Sequence, residues 1–186
     1  MAGEREDARR NRERIVEVAR TVVREQGTQA SLRDIARRAE VGLGTLYRHF
    51  PNRDALLETL MRRRFEHLTA RAAALAGQGE PDALPRWLIE YAYGTGVYRQ
   101  LPETVMATLA DEASPLHASC SAMRDAVAGL LTTAQADGAV RGDLTAEELF
   151  ALVTAVGWIA EQAPTLEGRR ERLLALILEG LRAPGR

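Results

Sequence analysis

Between Ser31 and Arg53 the chain reads SLRDIARRAEVGLGTLYRHFPNR. These are two short helical stretches with a glycine pair around their junction, and Phe50-Pro51 stops the second. Leu32, Ile35, Ala36 and Ala39 recur at helical spacing, so the first stretch has one apolar side. Ser31 stands where it can cap that helix. In the second stretch Leu46 and Phe50 are one turn apart and point to a core. Thr45, Tyr47, Arg48 and His49 are left over. Helices of about two turns do not hold together alone, so both must pack on a longer neighbour. Ile15, Val18, Ala19, Val22 and Val23 supply its stripe, and Gly27 ends it. The result is a three-helix base holding outward a stub with a hydroxyl, a phenol, a guanidinium and an imidazole. Such a stub is poor core material and suits a major groove lined by phosphates and base edges.

Composition narrows the class. Hydrophobic residues make up 46% of 186, enough for a sizeable core. No run approaches the ~18 apolar residues of a membrane span, and the charged start MAGEREDARRNRER has no signal-peptide character. A single cysteine, Cys120, excludes an internal disulfide framework and fits a reducing cytoplasm. Residues 1–64 hold 15 arginines against 10 acidic residues; the remainder holds 10 basic against 16 acidic. A basic head on an acidic body is expected where one end meets phosphates. Every basic residue is arginine; genome composition explains that more readily than phosphate recognition does.

Taken in order, residues 1–11 read as a frayed polar start, with Arg9, Arg10, Arg12 and Arg14 as candidates to face phosphate. After Pro51, Asn52 can cap a long fourth helix running to about Leu75. Residues 77–82 are the clearest loop, and no strand alternation follows. A fifth helix spans about Leu84 to Val97, with Gly94 and Gly96 as interruptions; this Gly-x-Gly pair lacks the strand a nucleotide loop needs. Pro102-Glu103 and Ser114-Pro115 open two more helices. Thr145 and Glu148 form a capping box before another. The expected fold is all-α with about nine helices. Its parts are a helix-turn-helix domain (1–52), a connecting helix (53–76) and a helical ligand-binding and dimerisation domain (77–186). The last two helices are apolar over more than half their circumference, too much for a monomer to expose. A two-fold four-helix seam through Leu149, Val153, Val156, Leu174, Ile177, Leu178 and Leu181 resolves this.

The run Leu32-Arg33-Asp34-Ile35-Ala36, Ala39-Glu40-Val41-Gly42, Gly44-Thr45-Leu46-Tyr47-Arg48-His49-Phe50, Arg53 and Leu56-Leu57 resembles the N-terminal domain of the TetR (tetracycline-repressor-like) family. Leu43 departs from the family's usual small polar residue, which bears on a cap or a phosphate contact. Arg53 replaces a frequent lysine and keeps the charge. The C-terminal part, best in GAVRGDLTAEEL, is similar to the SbtR-like branch of that family. The resemblance implies an all-helical, dimeric DNA-binding regulator released or engaged by a small molecule.

On this reading Tyr47 and His49 hold phosphates, and Thr45 and Arg48 read bases or phosphates. Gly44 lies in the same patch, and Arg33 and Arg53 position the backbone. Trp87, Tyr91, Tyr98, Met106 and Leu109, with His117, Cys120, Met123, Phe150 and Trp158, are candidates to line an apolar ligand pocket, against ordinary core packing. His117 and Cys120 supply only two metal ligands on one face, so no metal site is expected. No nucleophile–base motif appears, and acid pairs such as Asp111-Glu112 read as helix-terminal charges. The expectation is a cytoplasmic, homodimeric regulator, most simply a repressor, on a near-palindromic double-stranded operator. It would need no cofactor and would be released by a small, largely apolar effector. Two alternatives stay open: an all-helical enzyme that kept a helix-turn-helix, and a dimerisation module acting through protein partners.

Overall fold

The computed structural model describes residues 2–93, 101–162, 165 and 169–182. Nine helices occur among them: α1 (Ala2–Gln26), α2 (Leu32–Arg38), α3 (Leu43–His49), α4 (Arg53–Gln78), α5 (Ala83–Ala92), α6 (Glu103–Ala110), α7 (Pro115–Ala136), α8 (Ala146–Gln162) and α9 (Arg170–Gly180). The described residues contain no strand, only one antiparallel bridge between Val140 and Arg182. Among them no helix is long and apolar enough to cross a membrane.

The helix ends follow from local chemistry. Ser31 Oγ accepts the Asp34 amide at 3.4 Å. Asn52 Oδ1 accepts the Ala55 amide at 2.8 Å, and Ser114 Oγ accepts that of His117 at 3.0 Å. Thr145 and Glu148 close the capping box: the Thr145 amide donates to Glu148 Oε2 at 2.9 Å and the Glu148 amide to Thr145 Oγ1 at 3.2 Å. Gly27, at φ 80°, ends α1 in the left-handed conformation that glycine adopts without strain.

Two differences from the sequence reading stand out. Residues 2–11 are helical rather than frayed, because their charges pair along the helix. Arg9 meets Glu6 at 2.6 Å and Glu13 at 3.3 Å, and Arg10 meets Asp7. Spacings of three and four residues each add a few tenths of a kcal/mol. Gly77 and Gln78 belong to α4 rather than to the loop after it, which starts at Gly79. The stretch after Tyr93 that sequence gives to the end of helix 5, with Gly94, Gly96 and Tyr98, lies outside the described residues.

The chain forms two compact units, residues 1–64 with 100–118 and residues 65–99 with 119–186. The boundary falls inside α4, and α6 clusters with the first unit. Hydroxyl–carboxylate contacts explain this: Thr104 donates to Asp54, and Thr108 Oγ1 lies 3.2 Å from Glu58 Oε1. The first unit buries Ile15, Val16, Ala19, Val22 and Val23 of α1 with Ile35, Ala36, Leu46, Phe50, Leu56 and Leu57. Val16 takes the buried place expected of Val18, which is half-buried. The second unit packs α5, α8 and α9 around Trp87, Leu88, Met123, Val127, Leu149, Val153 and Leu174.

Candidate nucleic-acid interface

The tight junction between α2 and α3 starts from Ala39, the last cap of α2. The Glu40 amide donates to Arg37 O at 3.1 Å and the Val41 amide to Ala36 O at 3.0 Å. This pair of bonds is the Schellman closure, which needs a left-handed residue at its corner. That residue is Glu40, at φ 53°. Sequence reading passed over it because glutamate gives no turn signal. Gly42 then starts α3, its carbonyl accepting from Thr45 and Leu46 at 2.9 and 3.1 Å with no side-chain cap. The cap that Leu43 put in doubt is therefore absent.

Leu46 is fully buried and Phe50 nearly so, and burying a leucine side chain contributes roughly 2 kcal/mol. That anchor fixes which side of α3 faces out. Tyr47 is 46% exposed, Arg48 is exposed, and Thr45 and His49 are half-buried beside them. Arg48 folds back along its own helix, donating to Thr45 Oγ1 at 2.9 Å and to Gly44 O at 3.4 Å. Gly44 is exposed, and a Cβ there would meet nothing in the chain. The space beside its backbone is thus open to an external surface.

Around this face the charge is positive. Arg12 places its guanidinium 5.2 Å from the centroid of the Phe50 ring. Burial, followed by the charges of Arg12 and Arg48, pushes the His49 pKa below its ordinary value. At neutral pH His49 is an uncharged imidazole, an N–H donor rather than a cation. Arg53 donates from Nη1 to Gln29 Oε1 at 3.0 Å, while its Nε is buried without a partner. Arg33 is exposed in the first turn of α2. All seven residues expected at the interface belong to the first unit, on α2, α3 and the first residue of α4.

The candidate ligand residues are divided between the two units. Met106, Leu109 and His117 fall in the first unit; Trp87, Tyr91, Cys120, Met123 and Phe150 fall in the second. Met106 is 48% exposed, and His117 Nδ1 lies 3.0 Å from Leu109 O. Trp87 is fully buried and donates from Nε1 to Leu68 O at 2.8 Å. Its ring stacks on Tyr91 at 5.3 Å, and Phe150 meets both edge-on. This is close-packed core. Burial pushes the Cys120 thiol pKa up, so it stays protonated. Tyr98 and the side chain of Trp158 lie outside the described residues. Two clefts open elsewhere. One, of about 480 Å³, is lined by Arg141, Asp143, Leu144, Glu148, Ala151, Leu152 and Leu181. The other lies in the first unit against α4.

The seam residues need a correction. Leu149, Val153, Val156, Leu174 and Leu181 are buried in the chain's own core, and Ile177 and Leu178 pack against it half-buried. Among the described residues, the large apolar side chains that α8 and α9 expose are Leu152, Ile159 and Leu176, at 40%, 40% and 46%. The same helices do carry surplus apolar surface, at other positions than those buried in the core.

Comparison with known proteins decides the family. Residues 15–60 match the family described as bacterial regulatory proteins, tetR family, and residues 80–183 match the C-terminal domain described as transcriptional regulator SbtR-like. The chain belongs to the TetR family of transcriptional regulators. A TetR regulator of Streptomyces coelicolor is 32% identical over 94% of this chain and 99% of that one, with a TM-score of 0.72. A TetR regulatory protein from Mycobacterium vanbaalenii is 28% identical over 96% and 99%, with a TM-score of 0.66. The transcriptional repressor KstR2 of Rhodococcus jostii is 23% identical over 93% of this chain and 92% of its own length. These relatives are regulators rather than enzymes, so the enzyme alternative is set aside. The dimerisation-module alternative gives way to a DNA-binding regulator.

Proposed function

We propose that this TetR regulator is a repressor that binds a near-palindromic operator as a homodimer and is released by a small effector. The outward face of α3 carries the reading: Leu46 is buried, Tyr47 and Arg48 are exposed, and Gly44 leaves its backbone open. In a dimer the two copies of α3 enter successive major grooves about 34–36 Å apart. Tyr47 and the neutral His49 donate to phosphates, Arg48 swings from Thr45 to a base edge or phosphate, and Arg53 turns its unpartnered Nε to the backbone. The seam is formed by Leu152, Ile159 and Leu176 with their two-fold mates. Repression, as for the KstR2 relative, is favoured over activation.

The test is a duplex-binding titration by fluorescence anisotropy on operator fragments selected from genomic DNA. Tyr47→Ala with His49→Ala removes two hydrogen bonds to charged oxygens, so affinity should fall roughly 100-fold while the melting temperature holds. Raising salt should weaken wild-type binding steeply through counterion release. Unchanged operator affinity in the double variant would remove α3 from the interface.

A further inference from the structure

Gln29 is not among the residues expected at the interface, yet it holds one of their cations. It lies in the connector between α1 and α2. Thr28 and Ala30 on either side are buried, at 2% and 3% exposure, and the Ala30 amide donates to Gly27 O at 3.1 Å. With both neighbours pinned inward, Gln29 is exposed. Its Oε1 accepts from Arg53 Nη1 at 3.0 Å, across 24 positions of the chain and within the first unit. Arg53 is the first residue of α4, at the end where the helix dipole disfavours a cation. A carboxylate would be the stabilising partner there, but the acid beside it in sequence, Asp54, takes the Thr104 hydroxyl. The partner that Arg53 finds across the fold is instead an amide. An amide oxygen fixes the direction of a guanidinium without cancelling its charge. One such bond leaves most of the guanidinium donors for an outside acceptor, and Nε has no partner at all.

We propose that Gln29 is a positioning residue for operator binding: it holds the Arg53 guanidinium, with its charge intact, toward the DNA backbone. This rests on the reading of the chain as a DNA-binding repressor. It adds a connector residue to an interface otherwise drawn from α2, α3 and the start of α4. The long arginine side chain loses rotamer freedom when it meets a phosphate. Held in place beforehand, it has less to lose, and the contact is stronger for it. The choice of glutamine matters on both counts. Glutamate has the same reach and would hold Arg53 more firmly, but it would neutralise the cation that the phosphate needs. Methionine keeps the stem of the side chain and drops the bond.

The test titrates full-length variants by anisotropy on the selected operator and on a duplex of unrelated sequence, over a series of salt concentrations. Each variant is also melted without DNA. Gln29→Met should weaken binding about three- to tenfold. The loss should be alike on both duplexes, because a phosphate contact carries no sequence information. The melting temperature should hold, since residue 29 is exposed. In an Arg53→Gln background the same substitution should change affinity by less than about twofold, because no guanidinium is left to aim. Gln29→Glu should melt no earlier than the wild type and yet bind more weakly than Gln29→Met. Its plot of log affinity against log salt should flatten by about one phosphate contact, as that of Arg53→Gln does. Full affinity in Gln29→Met, an equal loss with and without Arg53, or an unchanged salt slope in Gln29→Glu overturns the proposal. An early melt of Gln29→Met with the same loss in both backgrounds would reduce residue 29 to a structural part of the connector. If Arg53→Gln binds like the wild type while Tyr47→Ala with His49→Ala does not, the proposal fails and the repressor reading stands. A wild type that binds neither duplex removes the repressor reading itself.

Discussion

Helices α3 and α8 each leave a face unfinished, and the two faces ask for different partners. In its seven residues α3 buries one side chain, Leu46, and exposes Tyr47 and Arg48. In seventeen residues α8 buries Leu149, Phe150, Val153 and Val156 and still exposes Leu152 and Ile159. A phenol beside a guanidinium gains from phosphate oxygens and nothing from oil. Leucine and isoleucine gain from another apolar face and nothing from phosphate. Both units thus present surface for binding, but the head presents hydrogen-bond donors where the body presents hydrocarbon.

The sharpest way to break this comparison is on α9, where neighbouring positions fall on opposite sides. Leu174 is buried in the core at 1% exposure and Leu176 is exposed at 46%. Leu174→Ala should cost about 2–5 kcal/mol, since it removes packing and leaves a cavity. The urea midpoint should fall at every protein concentration. Leu176→Glu should instead shift sedimentation velocity from a dimer to a single chain. Its effect on the midpoint should vanish at high dilution, where association no longer contributes. Identical behaviour of the two variants would mean that the exposed stripe is not a seam.

A smaller effect separates anchoring from strain within the head. Glu40 occupies the left-handed corner of the α2–α3 junction, where a Cβ costs about 1–2 kcal/mol, offset in part by the greater unfolded-state freedom of glycine. Glu40→Gly should raise stability by about 0.5 kcal/mol. The contact of Glu40 with Arg14, at 3.8 Å and largely exposed, contributes little against this. Operator affinity should be unchanged, because glycine holds the same corner and leaves α3 in place. A loss of stability would mean that the side chain carries a contact that outweighs the strain.

The same contrast explains what the sequence made legible. In α3 only Leu46, with Phe50 one turn on, could serve as core, so the outward side followed by elimination, and Tyr47 and Arg48 are exposed on it. The caps at Ser31, Asn52 and Thr145 were equally readable, since each rests on one side-chain oxygen at a fixed spacing. In α8 and α9 almost every position is apolar. Periodicity then shows that two faces exist but not which one turns to the chain's own core, and the seam was assigned to the inner one. The ligand residues are less legible for a related reason: an aromatic in a core and an aromatic in a pocket look alike until neighbours are placed. Trp87, Tyr91 and Phe150 had already satisfied one another. The contact of Gln29 with Arg53 was hidden because the two come together only through tertiary packing.

The smallest expected effect concerns the imidazole on the α3 face. Burial, Arg12 and Arg48 all disfavour the charged form of His49, so its pKa in the folded chain lies below the ordinary 6.5. The unfolded chain therefore takes up this proton first. The stability that His49 contributes is present above pH 6.5 and is lost as pH falls through the folded-state value. Melting temperature should decline between neutral pH and pH 5 more in the wild type than in His49→Gln, by a small margin because the ring is only half-buried. DNA reverses the sign: a phosphate beside the ring favours the imidazolium. Operator binding should then strengthen on mild acidification in the wild type and stay flat in His49→Gln, at constant ionic strength. Opposite slopes for folding and for binding, carried by one side chain, distinguish a ring turned to phosphate from one that only packs against Phe50.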